Sequence, residues 1–269
     1  MRIIDAHVHV GDNQATKAYP LQELQDDLRD AQATGAVVFA FPEDMYRTVD
    51  NDEARRQANE YCLRMARDNA SLYPFFFIWD GYALPQDQQE LDDLSAFAGI
   101  KWHRHPDEPR YDYATAACER ALEAIRELNM PVTLEEEFEN TVAFIERSPD
   151  LPVIIPHTGM LNGGTERMTA FLDRPNVYFD TSVAPLEAVQ FILNGVGVER
   201  LIFGTDVSGT SQPFYNFPTV ELEKLRGLGL GDAEWQLLLA GNIDRLIAET
   251  NTAWSEIAAR GTRSTPSCT

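Results

Sequence analysis

Histidine is scarce in this chain, but four of its five histidines occur in two pairs. His7 is followed by His9, and His103 by His105. Because alternate side chains of a strand share one face, we expect His7 and His9 to point the same way. Two imidazoles on one wall suit a cation, since neutral imidazole is a common metal ligand. The first pair therefore predicts a metal site.

Two further residues with useful chemistry follow apolar runs late in the chain. Asp206 ends the run Leu-Ile-Phe-Gly-Thr-Asp, and His157 follows Val-Ile-Ile-Pro. The alternation that would aim Val153 and Ile155 into the interior also aims His157 there. A carboxylate beside two imidazoles is a ligand set that zinc, manganese or iron accepts. We therefore predict that Asp206 and the first histidine pair bind a metal, with His157 facing the same cavity.

The fourth apolar run carries a basic residue. Within Gly-Ile-Lys-Trp-His, alternation points Lys101 and His103 inward, and Arg104 comes next. A buried lysine can pair with a substrate carboxylate or be modified to a carbamate that bridges two metals, and the sequence leaves both open. We predict Lys101, His103 and Arg104 as substrate-binding residues. Further candidate contacts are Tyr46, Trp79, Trp102 and Tyr215.

Three consecutive acids follow the fifth apolar run. Alternation places Glu135 on the inner side, together with Thr133. Glu136 and Glu137 would fall in the first turn of the next helix, where the helix dipole favours carboxylates. Glu135 is therefore predicted to be a site residue and a further metal ligand.

These residues must be positioned by alternating strands and helices. Each apolar run is short and bounded by turn residues, as buried strands are. The predicted strands are residues 3–10, 36–41, 73–79, 98–102, 131–134, 153–155, 177–179 and 201–203. The predicted helices are residues 21–33, 52–68, 114–128, 141–147, 186–193 and 220–225.

Eight strand–helix units in a chain of 269 residues indicate the α/β class and a distorted (β/α)8 TIM barrel. An open doubly wound sheet is the alternative, but the first strand lacks the Gly-rich phosphate fingerprint of that fold. No linker or internal repeat marks a second domain. We predict one domain over residues 1–260 and a disordered tail over residues 261–269, with the site at the mouth where the strands end.

The composition limits the classes of partner. A net charge of −21 at pH 7 repels polyphosphates, and no basic patch offsets it, so neither nucleic acid nor a membrane surface is expected. The three cysteines lack a Cys-x-x-Cys pair, which argues against a disulfide framework and a thiolate zinc site. We expect a cytoplasmic protein that acts on a small molecule, and the sequence leaves open whether it forms a homo-oligomer.

Several motifs resemble the amidohydrolase superfamily, specifically the amidohydrolase-related group that includes decarboxylases and lactonases of carboxylated small molecules. The resemblance covers nearly the whole chain. Its most specific carriers are Asp5-Ala6-His7-Val8-His9 and Phe203-Gly204-Thr205-Asp206. The others are Gly99-Ile100-Lys101-Trp102-His103, Pro131-Val132, Pro156-His157-Thr158-Gly159, Val177-Tyr178-Phe179-Asp180-Thr181-Ser182 and Gly241-Asn242.

The resemblance implies a distorted barrel that binds one or two divalent metals. His7 and His9 would be ligands, and Asp206 would be both a ligand and a proton acceptor. The family commonly has a histidine at the end of strand five, where this chain has Glu135. That departure puts the identity and even the retention of the metal in question, since some relatives work without one.

Three hypotheses about function follow. In the first, one divalent metal, with zinc expected from availability and geometry, lowers the pKa of bound water, which attacks an amide, ester or lactone carbonyl. Asp206 would accept the proton, while His157 would polarise the carbonyl or stabilise the oxyanion. In the second, the same site removes carbon dioxide non-oxidatively from an aromatic or enoic acid. In the third, the barrel binds a ligand without turnover. The first is our prediction.

Overall fold

The computed structural model describes residues 1–11, 19–40, 50–79, 88–104, 110–208 and 217–263. Eight parallel strands alternate with helices and pair in the order in which they occur in the chain. The strands are β1 (Ile4–Val10), β2 (Gly35–Ala40), β3 (Leu72–Trp79), β4 (Gly99–His103), β5 (Val132–Glu135), β6 (Val153–Ile155), β7 (Val177–Asp180) and β8 (Leu201–Ile202). The α-helices are α1 (Leu21–Asp30), α2 (Asn51–Asp68), α3 (Gln88–Asp93), α4 (Ala116–Glu127), α5 (Phe138–Arg147), α6 (Leu186–Val196), α7 (Pro218–Leu225), α8 (Asp232–Gln236), α9 (Asn242–Ala248) and α10 (Trp254–Arg263).

The barrel closes between β1 and the segment that follows β8. The backbone N–H of Asp206 donates to the carbonyl of His7 at 2.8 Å, and that of His9 donates to Val207 at 3.0 Å. These bonds continue the parallel ladder from β8 to β1, which confirms the predicted (β/α)8 barrel. Closure also brings Asp206 beside the strand that carries the first histidine pair.

Apolar side chains fill the space outside and inside the sheet. Trp102 and Leu134 of the middle strands pack with Phe144 of α5 in an outer layer. Phe39 and Phe77 belong to a second cluster, which extends into the barrel interior. Burying one large apolar side chain stabilises the fold by about 1.5–3 kcal/mol relative to its exposure. Packing on both faces therefore holds the strand ends that carry the polar residues.

The residues of β6 that face the barrel interior differ from those predicted. Ile154 is paired with Thr133 of β5, and side chains of paired residues on neighbouring strands share a face. Ile154 therefore faces the interior, whereas Val153 and Ile155 pack in the outer layer. The prediction that Val153 and Ile155 point into the barrel is wrong. His157 reaches the interior through a turn after the strand, where its backbone is left-handed with φ 55°.

Strand β1 carries one extra residue relative to β2. From Asp5 to Val8, β1 advances three residues while β2 advances two. A bulge of this kind re-aims the side chains around it. The Asp5 carboxylate accepts hydrogen bonds from Oγ1 and N of Thr205 at 2.6 and 3.0 Å. Asp5 therefore ties β1 to the segment before Asp206.

The C-terminal helix α10 continues to Arg263. The rest of the predicted disordered tail, residues 264–269, lies outside the described residues. Cys62 and Cys118 are buried free thiols, and Cys268 lies beyond the described part of the chain. None of the helices in the described ranges combines the length and the apolar character needed to cross a bilayer.

Candidate active site

Two of the predicted metal ligands, His7 and His9, direct their Nε2 atoms at one oxygen of the third, Asp206. Oδ1 of Asp206 lies 3.3 Å from Nε2 of His7 and 3.1 Å from Nε2 of His9. The two imidazoles are buried, whereas the Asp206 side chain is 30% exposed. Asp206 adopts a left-handed backbone, φ 63°, a conformation that aspartate tolerates better than most residues. The carboxylate is thus the member of this group that is open to the barrel mouth.

The donor set fits a divalent cation. In a tetrahedral site with bonds of about 2.0–2.1 Å, neighbouring ligand atoms lie about 3.3 Å apart, close to the separations found here. Nδ1 of His7 donates to Oδ2 of Asp180 at 2.7 Å, so a neutral His7 directs the lone pair of Nε2 towards Asp206. That lone pair repels the carboxylate oxygen, and a cation between the two atoms would relieve the repulsion.

The protonation states also favour a cation. Burial lowers the pKa of His7, and the charge of Lys101 lowers it further, although Asp180 acts in the opposite direction. Burial holds the pKa of His9 well below its usual value despite the nearby Asp206 carboxylate. Both imidazoles are therefore neutral near pH 7, which is the form that binds a metal.

Asp180 and Ser182 form hydrogen bonds that orient the imidazoles of His7 and His157. Asp180 accepts hydrogen bonds from Nδ1 of His7 and, at 2.8 Å, from the backbone N–H of His157. The Ser182 hydroxyl donates to Asp180 and lies 2.9 Å from Nδ1 of His157. A second group that could hold a metal ion consists of His7, His157 and Asp180. The atoms that face one another in this group are already engaged in the hydrogen bonds described above. Asp180 and Ser182 were not among the predicted site residues, and their only signal in the sequence was the Asp-Thr-Ser motif after the seventh apolar run.

His157 faces the cavity from beyond the end of β6. Its Nδ1 donates to the Ser182 carbonyl at 3.1 Å, which leaves Nε2 directed at Glu135, 3.7 Å from Oε2. Burial lowers the pKa of His157, but the nearby carboxylates of Glu135 and Asp206 outweigh burial and raise it to about 9. His157 is therefore a hydrogen-bond donor near pH 7 and can stabilise a developing negative charge.

Glu135 lies among three basic side chains. It accepts a hydrogen bond from Nζ of Lys101 at 2.8 Å, and its other oxygen lies 3.5 Å from Nε2 of His103. Burial raises the pKa of Glu135, but Lys101, His103 and His157 hold it well below its usual range. Nζ of Lys101 also lies 3.4 Å from Nε2 of His7. Glu135 is in neither metal-ligand group found among the described residues, and its closest partner is Lys101.

The predicted site residue Arg104 pairs with carboxylates that lie outside this cluster. Its buried guanidinium donates from Nε to both carboxylate oxygens of Glu136, at 2.9 and 3.0 Å, and lies 3.0 Å from Glu137. The prediction that Glu136 lies in the first turn of the next helix is wrong, because α5 begins at Phe138. The Arg104–Glu136 pair instead joins the ends of β4 and β5, and a substrate contact by Arg104 stays a prediction.

Trp102 faces away from the cavity. Its ring is buried against Tyr111 and Phe144, with centroids 5.1 and 5.2 Å apart, because its neighbours Lys101 and His103 take the inner face. The prediction that Trp102 contacts substrate is therefore wrong. The other candidate contacts lie outside the described part of the chain, namely Tyr46, Tyr215 and the side chain of Trp79, as does His105 of the second histidine pair.

The sequence profile described as amidohydrolase matches residues 4–247. The chain belongs to the amidohydrolase family. The match covers all eight strands and includes His7, His9, His157 and Asp206. It agrees with the resemblance inferred from the motifs. No curated protein sequence matches the chain.

Solved structures share the barrel of this amidohydrolase. A provisionally assigned 2-pyrone-4,6-dicarboxylic acid hydrolase from Pseudomonas putida is 18% identical with a TM-score of 0.70, over 91% of this chain and 97% of that one. A similarly assigned hydrolase from Acinetobacter baumannii, with citric acid bound, is 17% identical with a TM-score of 0.70, over 92% and 99%. The 5-carboxyvanillate decarboxylase of Sphingomonas paucimobilis is 13% identical with a TM-score of 0.64, over 91% and 98%. At these identities the likeness shows a common fold.

Proposed function

We propose that this amidohydrolase cleaves an amide, ester or lactone bond of a small molecule, with His7, His9 and Asp206 holding one divalent metal. The observation that carries the proposal is the convergence of two neutral imidazole nitrogens on one oxygen of Asp206. Zinc is the metal we expect, since it favours nitrogen and oxygen ligands in tetrahedral geometry. Glu135, which we predicted as a further ligand, is better explained as the counter-ion of Lys101.

The chain supplies both a base and a hydrogen-bond donor at the cavity. When bound, a divalent metal supplies Lewis acidity, which makes water more acidic and polarises a carbonyl. Burial raises the pKa of Asp206, but its hydrogen bond to His9 and the charge of His157 hold that pKa below its usual range. Asp206 is thus ionised and open to the cavity, so it can accept a proton from water and pass it to the leaving group. His157 donates from Nε2 to the oxygen on which negative charge develops.

Lys101 and His103 are proposed to bind a substrate carboxylate. The ammonium group of Lys101 is buried in the barrel and contacts the Phe39 ring face at 5.0 Å. The alternative use, as a carbamate, is disfavoured because it would replace the ammonium charge by a negative charge beside Glu135, which lies 2.8 Å from Nζ. A substrate carboxylate would instead keep the positive charge of Lys101 between the two acids. Two structurally similar proteins, a pyrone-dicarboxylic acid hydrolase and a carboxyvanillate decarboxylase, are also named for carboxylated molecules.

Decarboxylation on the same residues is the alternative that an experiment must separate. We would incubate the metal-loaded protein with carboxylated esters, lactones, anilides and hydroxybenzoates in water enriched in ¹⁸O. Hydrolysis places ¹⁸O in the product acid, because the attacking oxygen comes from solvent, whereas decarboxylation releases carbon dioxide and leaves the product unlabelled. We expect ¹⁸O in the product without release of carbon dioxide.

The variant Asp206→Asn tests the proposed base, with Asp150→Asn as a matched control at an exposed carboxylate. Hydrolysis should fall by about 10²–10⁴-fold in Asp206→Asn and stay unchanged in Asp150→Asn. Carbon dioxide without label would establish the decarboxylase instead. Saturable binding of a panel compound without any turnover by a metal-loaded protein would indicate a ligand-binding barrel. Cytoplasmic location and the absence of nucleic-acid and membrane partners stay predictions from the sequence.

A further inference from the structure

A strained turn lies directly behind the imidazoles of His7 and His157. Val183 has φ 58°, a left-handed conformation that is a genuine outlier for a β-branched residue. The backbone N–H of Ala184 donates to the carbonyl of Ser182 at 2.6 Å, so the chain makes a γ-turn with Val183 at its centre. Turns of this form with positive φ are rare and strained. The Val183 side chain is 42% exposed, so it gains little from packing that would offset the strain.

The turn presents Ser182 to both imidazoles. The carbonyl that closes the turn also accepts the hydrogen bond from Nδ1 of His157 at 3.1 Å. The Ser182 hydroxyl lies 2.9 Å from the same nitrogen and 3.4 Å from Nδ1 of His7. Strain that persists at a functional site must be held by the surrounding structure. The residue that holds it should contact the backbone on both sides of the turn.

Lys224 of α7 makes those contacts. Its Nζ donates to the carbonyl of Ala184 at 2.7 Å and to that of Thr181 at 3.4 Å. These two carbonyls flank Ser182 and Val183. Lys224 forms an ion pair with the buried Glu221 one turn earlier in the same helix. One ammonium group therefore connects both ends of the strained turn to a buried carboxylate.

We propose that Lys224 is a positioning residue for the active site. Anchored by Glu221, it holds the turn from Ser182 to Ala184 in its strained form and so keeps Ser182 against His157 and His7. In the structure Lys224 bonds to the turn, and the turn bonds to the imidazoles. The effect on catalysis rests on the proposed function, but the effect on His157 can be measured without any reaction.

The first readout is the ¹⁵N NMR spectrum of the imidazoles in the metal-loaded protein with labelled histidine. The chain has five histidines, so the signals can be assigned by single substitutions. Lys224→Met should shift the Nδ1 signal of His157, because the Ser182 carbonyl moves away from it. Lys224→Arg should keep the wild-type signal. Arg226→Met, at an exposed residue of the next turn, is the matched control and should shift nothing.

The second readout is the coupling between Lys224 and the strain itself. Val183→Gly removes the strain, since glycine adopts positive φ without a steric penalty, and should raise the melting temperature by itself. If Lys224 acts by holding the turn, Lys224→Met should lower the melting temperature and shift His157 less in the Val183→Gly background than in wild type. If hydrolysis is detected, kcat should fall about tenfold in Lys224→Met, with KM unchanged.

Two results would overturn the proposal. One is an unchanged His157 signal in a folded Lys224→Met protein, which would leave Lys224 a stabilising contact only. The other is strict additivity of Lys224→Met and Val183→Gly, which would separate Lys224 from the turn. Should Lys224→Met fail to fold, Glu221→Gln carries the same test at a pH above 7, where Glu221 is ionised and the substitution removes the charge that holds Lys224. A lack of turnover with any substrate would refute the proposed function and leave the NMR test intact.

Discussion

Nδ1 of His7 donates a hydrogen bond to Oδ2 of Asp180 at 2.7 Å, which joins the first strand of the barrel to the seventh. Both side chains are buried, so water does not compete for this bond. A carboxylate in this position fixes the tautomer of the imidazole and makes its other nitrogen a better metal ligand. The bond therefore directs Nε2 of His7 towards His9 and Asp206.

Asp180→Asn should weaken metal binding. The amide keeps the shape of the side chain but loses its charge, and loss of such a partner typically costs about 10–100-fold in metal affinity. Competition with a chromophoric chelator measures that affinity. Asp173→Asn, at an exposed position on the loop before β7, is the control and should leave it unchanged. Equal affinities in wild type and Asp180→Asn would show that Asp180 does not support the site.

Stability should depend on pH through Glu221. Burial raises the pKa of Glu221 to about 7 from its usual value of 4.5, with Asp180 and Asp206 adding to the rise and Lys224 opposing it. The folded state therefore holds this proton more tightly than the unfolded state, and the contribution is lost as pH rises from about 4.5 to about 7. Urea titrations measure the free energies of unfolding of Glu221→Gln and of wild type. The first value minus the second should increase over this pH interval. A difference that is constant with pH would contradict the assignment.

The Arg104–Glu136 pair predicts a large effect on stability. Both side chains are buried, and removing one partner of a buried pair typically costs about 3–5 kcal/mol, because the other charge is left uncompensated. Arg104→Met should lose that amount in urea unfolding, and Arg104→Met with Glu136→Leu should recover much of it. Unchanged stability, together with a raised KM, would instead support the substrate contact predicted from the sequence.

Lys101 predicts an effect on substrate affinity that can be separated from stability. Lys101→Met with Glu135→Gln removes both charges of the pair, so neither is left buried alone. KM for a carboxylated substrate should rise about 10–100-fold, the value of a hydrogen bond to a charged group, while KM for the corresponding methyl ester should change little. Equal changes for the two substrates would exclude Lys101 as the carboxylate-binding residue.

Much of the fold was predictable because the strands are buried on both faces. Such strands are short apolar runs, and β6, predicted as residues 153–155, has the same bounds in the structure. Helix α2 begins one residue before its predicted start and ends at the predicted residue. The amphipathic pattern and the Asp50 cap, which accepts from the backbone of Glu53 at 2.9 Å, explain that agreement.

The parts of the site that lie on strands were also predictable. His7 and His9 share a face, as alternation requires, and Lys101 and Glu135 meet because β4 and β5 are paired in register. Alternation failed where the backbone leaves the strand. His157 and Val183 adopt left-handed conformations, which no side-chain pattern encodes. The positioning proposed for Lys224 depends on a contact between α7 and the loop after β7. Local periodicity carries no information about such a contact.

The most direct test is the metal content of the purified, undialysed protein, counted per chain by elemental analysis. Wild type is compared with a double variant that carries His7→Ala and His9→Ala. The control is a second double variant that carries Gln190→Ala and Asn194→Ala on the outer helix α6. We expect close to one zinc, manganese or iron ion per chain in wild type and control, and none in the histidine variant. An empty wild-type protein that does not bind added metal, or a histidine variant that keeps its metal, would contradict the proposed site.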